Sequence, residues 1–365
     1  LPMTRLVGGA IDGGAFGAAD VPEGSVLTVL RVPPEMAGMR VDVFVRLHLK
    51  DTSRSRANFI VRNSARDLAG NRLRPGSRVT PEQLIALWRP AWDDVEFPLE
   101  IPVLFVDDHV LVIDKPAGLP VHPSARYYRN TVVKMMGERF PSDHLVLAHR
   151  LDRDTSGVLV LARTTAADRG IKKQLEKRSG VEKSYLAITW GWPSNHEFRV
   201  DLPLETDPTS RLRVTMRVAS PGSGLEAATR MRVRERRVRP DSPTVEGSHA
   251  APWTTGRYAL VQCDLETGRQ HQIRVHLAAV GCPVLGDKLY GPDAELHARS
   301  SDDTLTDDDR ELLELPRHAL HAARMGFHHP ITGERIVAEA PLPRDMREFL
   351  DRLAPADPCS PSRVC

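Results

Sequence analysis

Two clusters in this sequence carry residue types that could make and break bonds. The first, His149-Arg150-Leu151-Asp152-Arg153-Asp154-Thr155-Ser156-Gly157, is a polar stretch between apolar runs at residues 145–147 and 158–161. A loop between buried strands can hold a carboxylate with backbone N–H groups and neighbouring Arg, and a fixed, ionised Asp is a candidate nucleophile. An arbitrary Asp-x-Asp loop more often caps a turn, so residue types alone leave both readings of Asp152 and Asp154 open. The second cluster, Leu265-Glu266-Thr267-Gly268-Arg269-Gln270-His271-Gln272-Ile273-Arg274-Val275-His276, runs from a turn into a helix. His271 and Arg274 are three apart and share a helical face. That face can pair with a carboxylate or grip phosphates, since Arg offers a rigid fork of donors, or it can be an ordinary solvated face.

The elements that must position these clusters follow from apolar periodicity. Residues 103–116 (VLFVDDHVLVIDKP) predict two strands about a turn at Asp107-Asp108-His109, and 145–161 predict two more around the first cluster. Further strands are expected at YLAITWGW, TRMRVRE, YALVQCDLE and residues 321–327. Helices are expected over residues 165–178 and in IRVHLAAVG, with Gly281 as its stop. Strands outnumber helices and no β-α-β-α rhythm repeats, so the fold class is α+β, mixed and mainly antiparallel.

A smaller unit precedes this one. RVDVFVRLHLK has an apolar stripe of Val41, Phe44, Val45 and Leu47, and Asp51, Thr52 and Ser53 can cap a second helix through SRSRANFIVRN. A strand-turn-strand tail follows, with turns at Gly70-Asn71 and Pro75-Gly76 and an apolar end at residues 84–88. The organisation expected is a flexible Gly- and Ala-rich arm over 1–30, a small α/β domain over 31–90, a linker at 91–100, a large domain over 95–352, and a disordered tail over 353–365.

Composition bounds the function. The chain has 365 residues, 41% apolar before its 25 glycines are counted, which is ample for two cored domains. Fifty Lys and Arg against 48 Asp and Glu leave a net charge of +2, so partners must be read from local charge. Nine Arg (211, 213, 217, 230, 232, 234, 236, 237, 239) face two acids between residues 210 and 239, a basic stripe suited to RNA or to a solvated face. Conversely, residues 302–314 hold seven acids and one Arg, expected as a surface insertion away from RNA. Cys263, Cys282, Cys359 and Cys365 form no C-x-x-C pair, which excludes a disulfide framework or zinc ribbon and fits a reducing cytoplasm. No apolar run is long enough to span a membrane, and no secretory signal is visible. His318, His321, His328 and His329 lack the acidic or Cys partners of a metal set, so no metal is expected.

Ordered blocks over residues 95–350 resemble the RluA-type pseudouridine synthases: Lys115-Pro116-Ala117-Gly118, HRLDRDTSG at 149–157, Lys183-Ser184-Tyr185-Leu186-Ala187, LETGRQHQIRVHLAAVGCPVLGDKLYG at 265–291, and the closing RHALHAARMGFHHPITGE. The resemblance implies isomerisation of uridine to pseudouridine in RNA without a cofactor. It makes Asp152 the catalytic aspartate, attacking either C1′ or C6. Arg274 becomes the cation that keeps Asp152 ionised, and Tyr185 the ring that stacks on the flipped uracil and can move a C5 proton. Arg150 would prop the vacated stack, and Lys115, Arg269 and His271 would contact RNA. The small unit resembles an S4 RNA-binding domain through Gly38, Met39-Arg40-Val41-Asp42 and Ser53-Arg54-Ser55, with the following section degraded; Arg40 and Arg54 would then meet RNA. The partner implied is ribosomal RNA, or transfer RNA, met by a monomer in the cytoplasm. Two rivals stand beside this reading. A non-catalytic RNA-binding or assembly factor could use the same surfaces, and an Asp-nucleophile glycoside hydrolase would need a second carboxylate as acid, for which Asp154 is the candidate.

Overall fold

The computed structural model describes residues 26–49, 54–67, 69–89, 100–122, 130–141, 144–178, 180–210, 214–240, 250–293, 295–301 and 304–356. The chain divides into two compact units, with the break in sequence at residues 95 and 96.

In the first unit, β1 (Val26–Arg31), α1 (Val41–His48), α2 (Arg54–Ser64), β2 (Ala65–Arg66) and β3 (Leu84–Arg89) follow one another. The sheet order is β1-β3-β2, antiparallel throughout. Val41, Phe44 and Val45 of α1 bury against Val61, Ala65, Ile85 and Leu87, as the 3.6-residue stripe requires. Leu47 lies off that stripe and is 55% exposed, unlike its expected place. A second difference is β1: residues 26–30 belong to a strand that pairs along its length with β3 and not to an arm. The β-branched run VLTVLR outweighs the Gly-rich stretch before it. The proposed caps Asp51, Thr52 and Ser53, the linker residues 91–99, and the tail beyond residue 356 lie outside the described residues.

The second unit contains β4 (Val103–Val106), β5 (Val110–Lys115), α3 (Val132–Arg139), β6 (Val146–Leu147), β7 (Ser156–Ala162), α4 (Thr165–Lys177), β8 (Glu182–Trp190), β9 (Glu197–Asp201), β10 (Leu204–Thr206), β11 (Met216–Val218), β12 (Ala228–Val238), β13 (Arg257–Leu265), α5 (Gln272–Ala279), α6 (Leu296–Ser301), α7 (Asp307–Leu313), β14 (Leu320–His328), β15 (Arg335–Glu339), α8 (Arg344–Asp351) and β16 (Ala354–Pro355). Its main sheet runs β16-β12-β13-β8-β14-β7-β5-β4, with β15, β6 and β9 paired onto β14, β7 and β12. Among the described residues, every ladder of this sheet is antiparallel except β7 with β14. The fold is therefore α+β and mainly antiparallel, as the missing β-α-β rhythm predicts.

Burial follows sequence pattern. β7 reads SGVLVLA and is buried at every position, the signature of a strand covered on both faces. β12 alternates, with Met231 and Val233 inward and Arg230, Arg232 and Arg234 outward. The approach of β7 to β14 depends on Gly157, which has φ 107° and where a Cβ would meet Ala322 O at 2.2 Å. Two further differences from expectation appear here. The chain beyond residue 352 still pairs, as β16 on β12, because Ala354 and Pro355 close the open edge at Val238 and Arg237. The acidic segment 302–314 is also not simply a solvated insertion. Asp309 completes a capping box with Thr306 and holds Arg299, Leu313 is core, and Glu314 accepts bonds from buried Trp190 and Tyr258.

Candidate active site

The first cluster is the loop joining β6 to β7 together with the first two residues of β7, and three of its residues fasten it to β14 and the chain just before it. Thr155 Oγ lies 2.8 Å from His318 Nε2, and Ser156 Oγ lies 2.9 Å from His321 Nδ1. Gly157 then permits the close strand approach. Two of the four histidines weighed as metal ligands, His318 and His321, are buried partners of hydroxyls, and burial lowers both to about 4, so they are neutral at pH 7. With its end clamped, the loop holds Asp152 where 29% of its side chain still meets solvent.

The second cluster is pinned by Gln272. Its carbonyl accepts from Thr267 Oγ at 2.7 Å and Arg269 N at 2.9 Å, while its amide donates to Ala228 O and Thr229 Oγ. The Thr-Gly-Arg turn is thereby tied to the start of β12. His271 follows in the left-handed region at φ 55° as N-cap of α5, and His276 bonds Thr229 and Leu202 at the far end. Residues 272–277 are all buried, so α5 is a core helix and not a solvated face.

These two constructions meet. Arg274 Nη1 donates to Asp152 Oδ2 at 2.9 Å, and its remaining edge donates to Asp287 Oδ2 and Oδ1 at 2.7 and 2.8 Å. Arg274 is 5% exposed and Asp287 not at all. Asp287 is itself fixed by the backbone N–H groups of Leu289 and Tyr290, in a turn that needs Gly286, where a Cβ would strike Arg317 O at 2.1 Å. One guanidinium therefore spans two carboxylates, one sealed and one open. Burial opposes ionisation of Asp152, but the positive neighbours His271, when protonated, and Arg274 outweigh it, and the carboxyl lies below its ordinary range. Burial pushes His271 down to about 4, so at neutral pH the charge that keeps Asp152 ionised is Arg274.

Tyr185 lies on β8, between Cys263 of β13 and Ala322 of β14, and is 8% exposed. Burial, with the Asp152 charge, pushes its hydroxyl well above the ordinary value, so it is a neutral phenol at pH 7. His271 Nε2 lies 3.8 Å from Asp152 Oδ1. Arg150 is exposed on the same loop as Asp152. Arg269 is half-buried at the rim and donates through Nε to Glu226 O at 2.9 Å. Lys115 requires a correction: it is fully buried and its ammonium donates to the carbonyls of Pro116, Leu119 and Arg153 at 2.8, 2.9 and 2.8 Å. All three hydrogens are spent, none faces solvent, and burial lowers its pKa to about 7. It is a strut beneath the Asp152 loop and not a phosphate contact.

In the other unit, Arg40 is the N-cap of α1 and forms a two-pronged pair with Asp42 at 3.0 and 2.8 Å, while Arg54 opens α2 and is exposed. The basic stripe is more balanced than its sequence suggests. Arg217, Arg230, Arg232, Arg237 and Arg239 pair with Glu205, Glu266, Glu197, Glu235 and Glu314. Arg211 and Arg213 lie outside the described residues. Asp287 and Tyr290 received no role from sequence reasoning; the available signal was an Asp between turn glycines in LGDKLYG, thirteen residues after Arg274.

Among the described residues no helix is long and apolar enough to cross a membrane. The family model described as RNA pseudouridylate synthase matches residues 109–279, which span both clusters. A protein of Xanthomonas campestris pv. campestris named ribosomal large subunit pseudouridine synthase D is 36% identical over 341 residues, covering 91% of this chain and 94% of that one. The protein of the same name from Nitrosomonas europaea is 33% identical, covering 92% and 90%. Among solved structures, human RNA pseudouridylate synthase domain containing 1 shares the fold with a TM-score of 0.54 at 22% identity, over 72% of this chain and 91% of that one. With such identity over nearly the whole length, this chain belongs to the RluA-type family of RNA pseudouridine synthases.

Proposed function

We propose that this isomerase converts uridines of the large ribosomal subunit RNA, with Asp152 as nucleophile and Arg274 as its partner. The observation that carries this reading is the Arg274 contact to one oxygen of Asp152 only. Arg274 leaves Oδ1 unengaged on a side chain that stays 29% exposed, ionised and oriented, which is what a carboxylate nucleophile needs. Asp152 bonds to the target nucleoside, the N1–C1′ bond breaks, the uracil turns, C5 bonds to C1′, the bond to Asp152 breaks to return the free carboxylate, and the C5 proton leaves while N1 takes one up. No atom is gained or lost overall. Tyr185, a neutral ring beside the carboxylate, stacks on the uracil, and its hydroxyl passes the C5 proton on. The target base must leave its stack to reach Asp152, and exposed Arg150 fills the space it vacates. Arg269 and His271 line the entry.

Support for ribosomal RNA comes from the names of the relatives that match over nine-tenths of the chain. The first unit serves as an S4-like RNA-binding domain through Arg40 and Arg54, and the enzyme works as a monomer in the cytoplasm. The hydrolase reading fails on Asp154. Arg153 holds that carboxylate at 2.7 Å and, against the cost of burial, keeps its pKa far below the ordinary value, so no protonated acid is available there. The test is to map pseudouridine in ribosomal and transfer RNA of cells lacking the enzyme. Loss of a large-subunit site, restored by the wild type, supports the reading, and loss confined to transfer RNA overturns the substrate assignment.

A further inference from the structure

The Tyr290 hydroxyl sits between two nitrogens. The backbone N–H of Met216, first residue of β11, donates to it at 2.9 Å, and His271 Nδ1 lies 2.7 Å away. A phenol carries a single hydrogen, and burial keeps it on the oxygen by raising the Tyr290 pKa. With the oxygen accepting from Met216, the O–H is left to donate, and His271 Nδ1 is the acceptor in reach. The separation suits an O–H donor, whose bonds run at about 2.7–2.8 Å, better than an N–H donor at about 2.9–3.0 Å. His271 is neutral at pH 7. A neutral imidazole that accepts at Nδ1 carries its proton on Nε2. That nitrogen faces Asp152 Oδ1 at 3.8 Å, the oxygen that Arg274 leaves free.

We propose that His271 serves the reaction as a neutral Nε2–H donor aimed at the free oxygen of Asp152, with Tyr290 as the positioning residue that sets this tautomer. The inference rests on Asp152 being the nucleophile. A donor whose proton is already placed needs no rearrangement as charge on Oδ1 changes during bond making and breaking, which is how preorganised dipoles lower barriers. The rings support the arrangement: His271 and Tyr290 meet edge to face with centroids 5.7 Å apart, and the Arg274 guanidinium lies 5.0 Å from the Tyr290 centroid. A single turn, carrying Asp287 and Tyr290, thus sets both groups that face the nucleophile.

Two substitutions separate this role from a backbone role. His271 has φ 55°, a conformation Asn tolerates far better than Gln. A purely structural role ranks Asn above Gln. The donor role ranks Gln above Asn, because the Gln amide nitrogen reaches the place of Nε2 and the Asn nitrogen only that of Nδ1. The experiment is single-turnover tritium release from ribosomal RNA carrying 5-tritiated uridine, for the full chain and its His271→Gln, His271→Asn, Tyr290→Phe and Asp152→Asn variants. Nitrogen-15 NMR of the His271 imidazole accompanies it in wild type and Tyr290→Phe. Expected are a loss of about ten- to a hundredfold in His271→Asn, the value of one hydrogen bond to a charged group, and recovery of most of it in His271→Gln. Expected too are an Nε2-protonated imidazole in the wild type and a mixed tautomer with slower release in Tyr290→Phe. Asn equal to or better than Gln, or an Nδ1-protonated wild type, overturns the proposal, and the wild-type spectrum decides even if a variant fails to fold. Turnover retained by Asp152→Asn would instead refute the nucleophile reading, whichever way the His271 pair ranks.

Discussion

Arginine meets carboxylate in two very different settings in this molecule. On β12, Arg230 and Arg232 reach Glu266 and Glu197 with their side chains 72% and 47% exposed, in water that screens the pair. At the base of the site, Arg274 is held between Asp152 and Asp287 with almost nothing exposed. The chemistry of the contacts is the same and their consequences are not. Outside, the pairs add little stability and offset the positive charge that the stripe displays in sequence. Inside, losing one partner leaves a desolvated charge behind, so the geometry is enforced. Arg274 sits in this enforced setting, and Asp287 is the price of holding it there.

The comparison can be broken from its strong side first. Asp287→Asn keeps the shape and removes the charge that binds the Nε and Nη2 edge of Arg274. Single-turnover rates should fall about a hundredfold, the scale of an ångström of misplacement, with little change in RNA affinity. Unchanged rates would show that Asp152 alone orients Arg274. Lys115→Met comes next. Three buried carbonyls lose their donor, so the melting temperature should drop by several degrees while the salt dependence of RNA binding stays as it was. A melting temperature left intact, together with a slope reduced by about one, would restore Lys115 as a phosphate contact.

The buried histidines give a pH dependence of known sign. His271, His318 and His321 have folded pKa values of about 4, against about 6.5 in an unfolded chain. Between those values the unfolded state binds more protons, so stability rises with pH there. Their contribution is complete above about pH 6.5 and is lost as the pH falls toward 4. Melting followed across that window should show the fall, and His318→Gln should flatten it. The smallest effect belongs to β12: Arg230→Ala with Arg232→Ala should move the melting temperature by about 2 °C or less. A large loss of RNA affinity in that double variant would mean these arginines leave their carboxylates for phosphate.

The same contrast explains what the sequence could and could not disclose. The strands around the Asp152 loop, α4 and α5, and the Asp152–Arg274 encounter were legible, because each rests on local period or on motifs with fixed order. Partners joined across the sheet were not. Counting along residues 210–239 found two acids, yet Glu197, Glu205, Glu266 and Glu314 come from elsewhere in the chain and reach the stripe only through the folded sheet. Lys115 was misjudged for the related reason that one of its three carbonyl acceptors, Arg153 O, is brought to it by the return of the 149–157 loop. β1 was hidden by its Gly-rich neighbour, and Glu314 by the acidic run that contains it. Asp287 stood in a quoted motif, but its distance to Arg274 is set by a turn that no periodicity describes.

The most direct measurement is tritium release from RNA carrying 5-tritiated uridine, with wild type and Asp152→Asn compared at equal RNA occupancy. Release by the wild type, and none by a variant that still binds RNA, is the predicted result. Release by Asp152→Asn at a rate near that of the wild type would contradict the assignment of the nucleophile and, with it, the meaning given to the Arg274 and Asp287 framework.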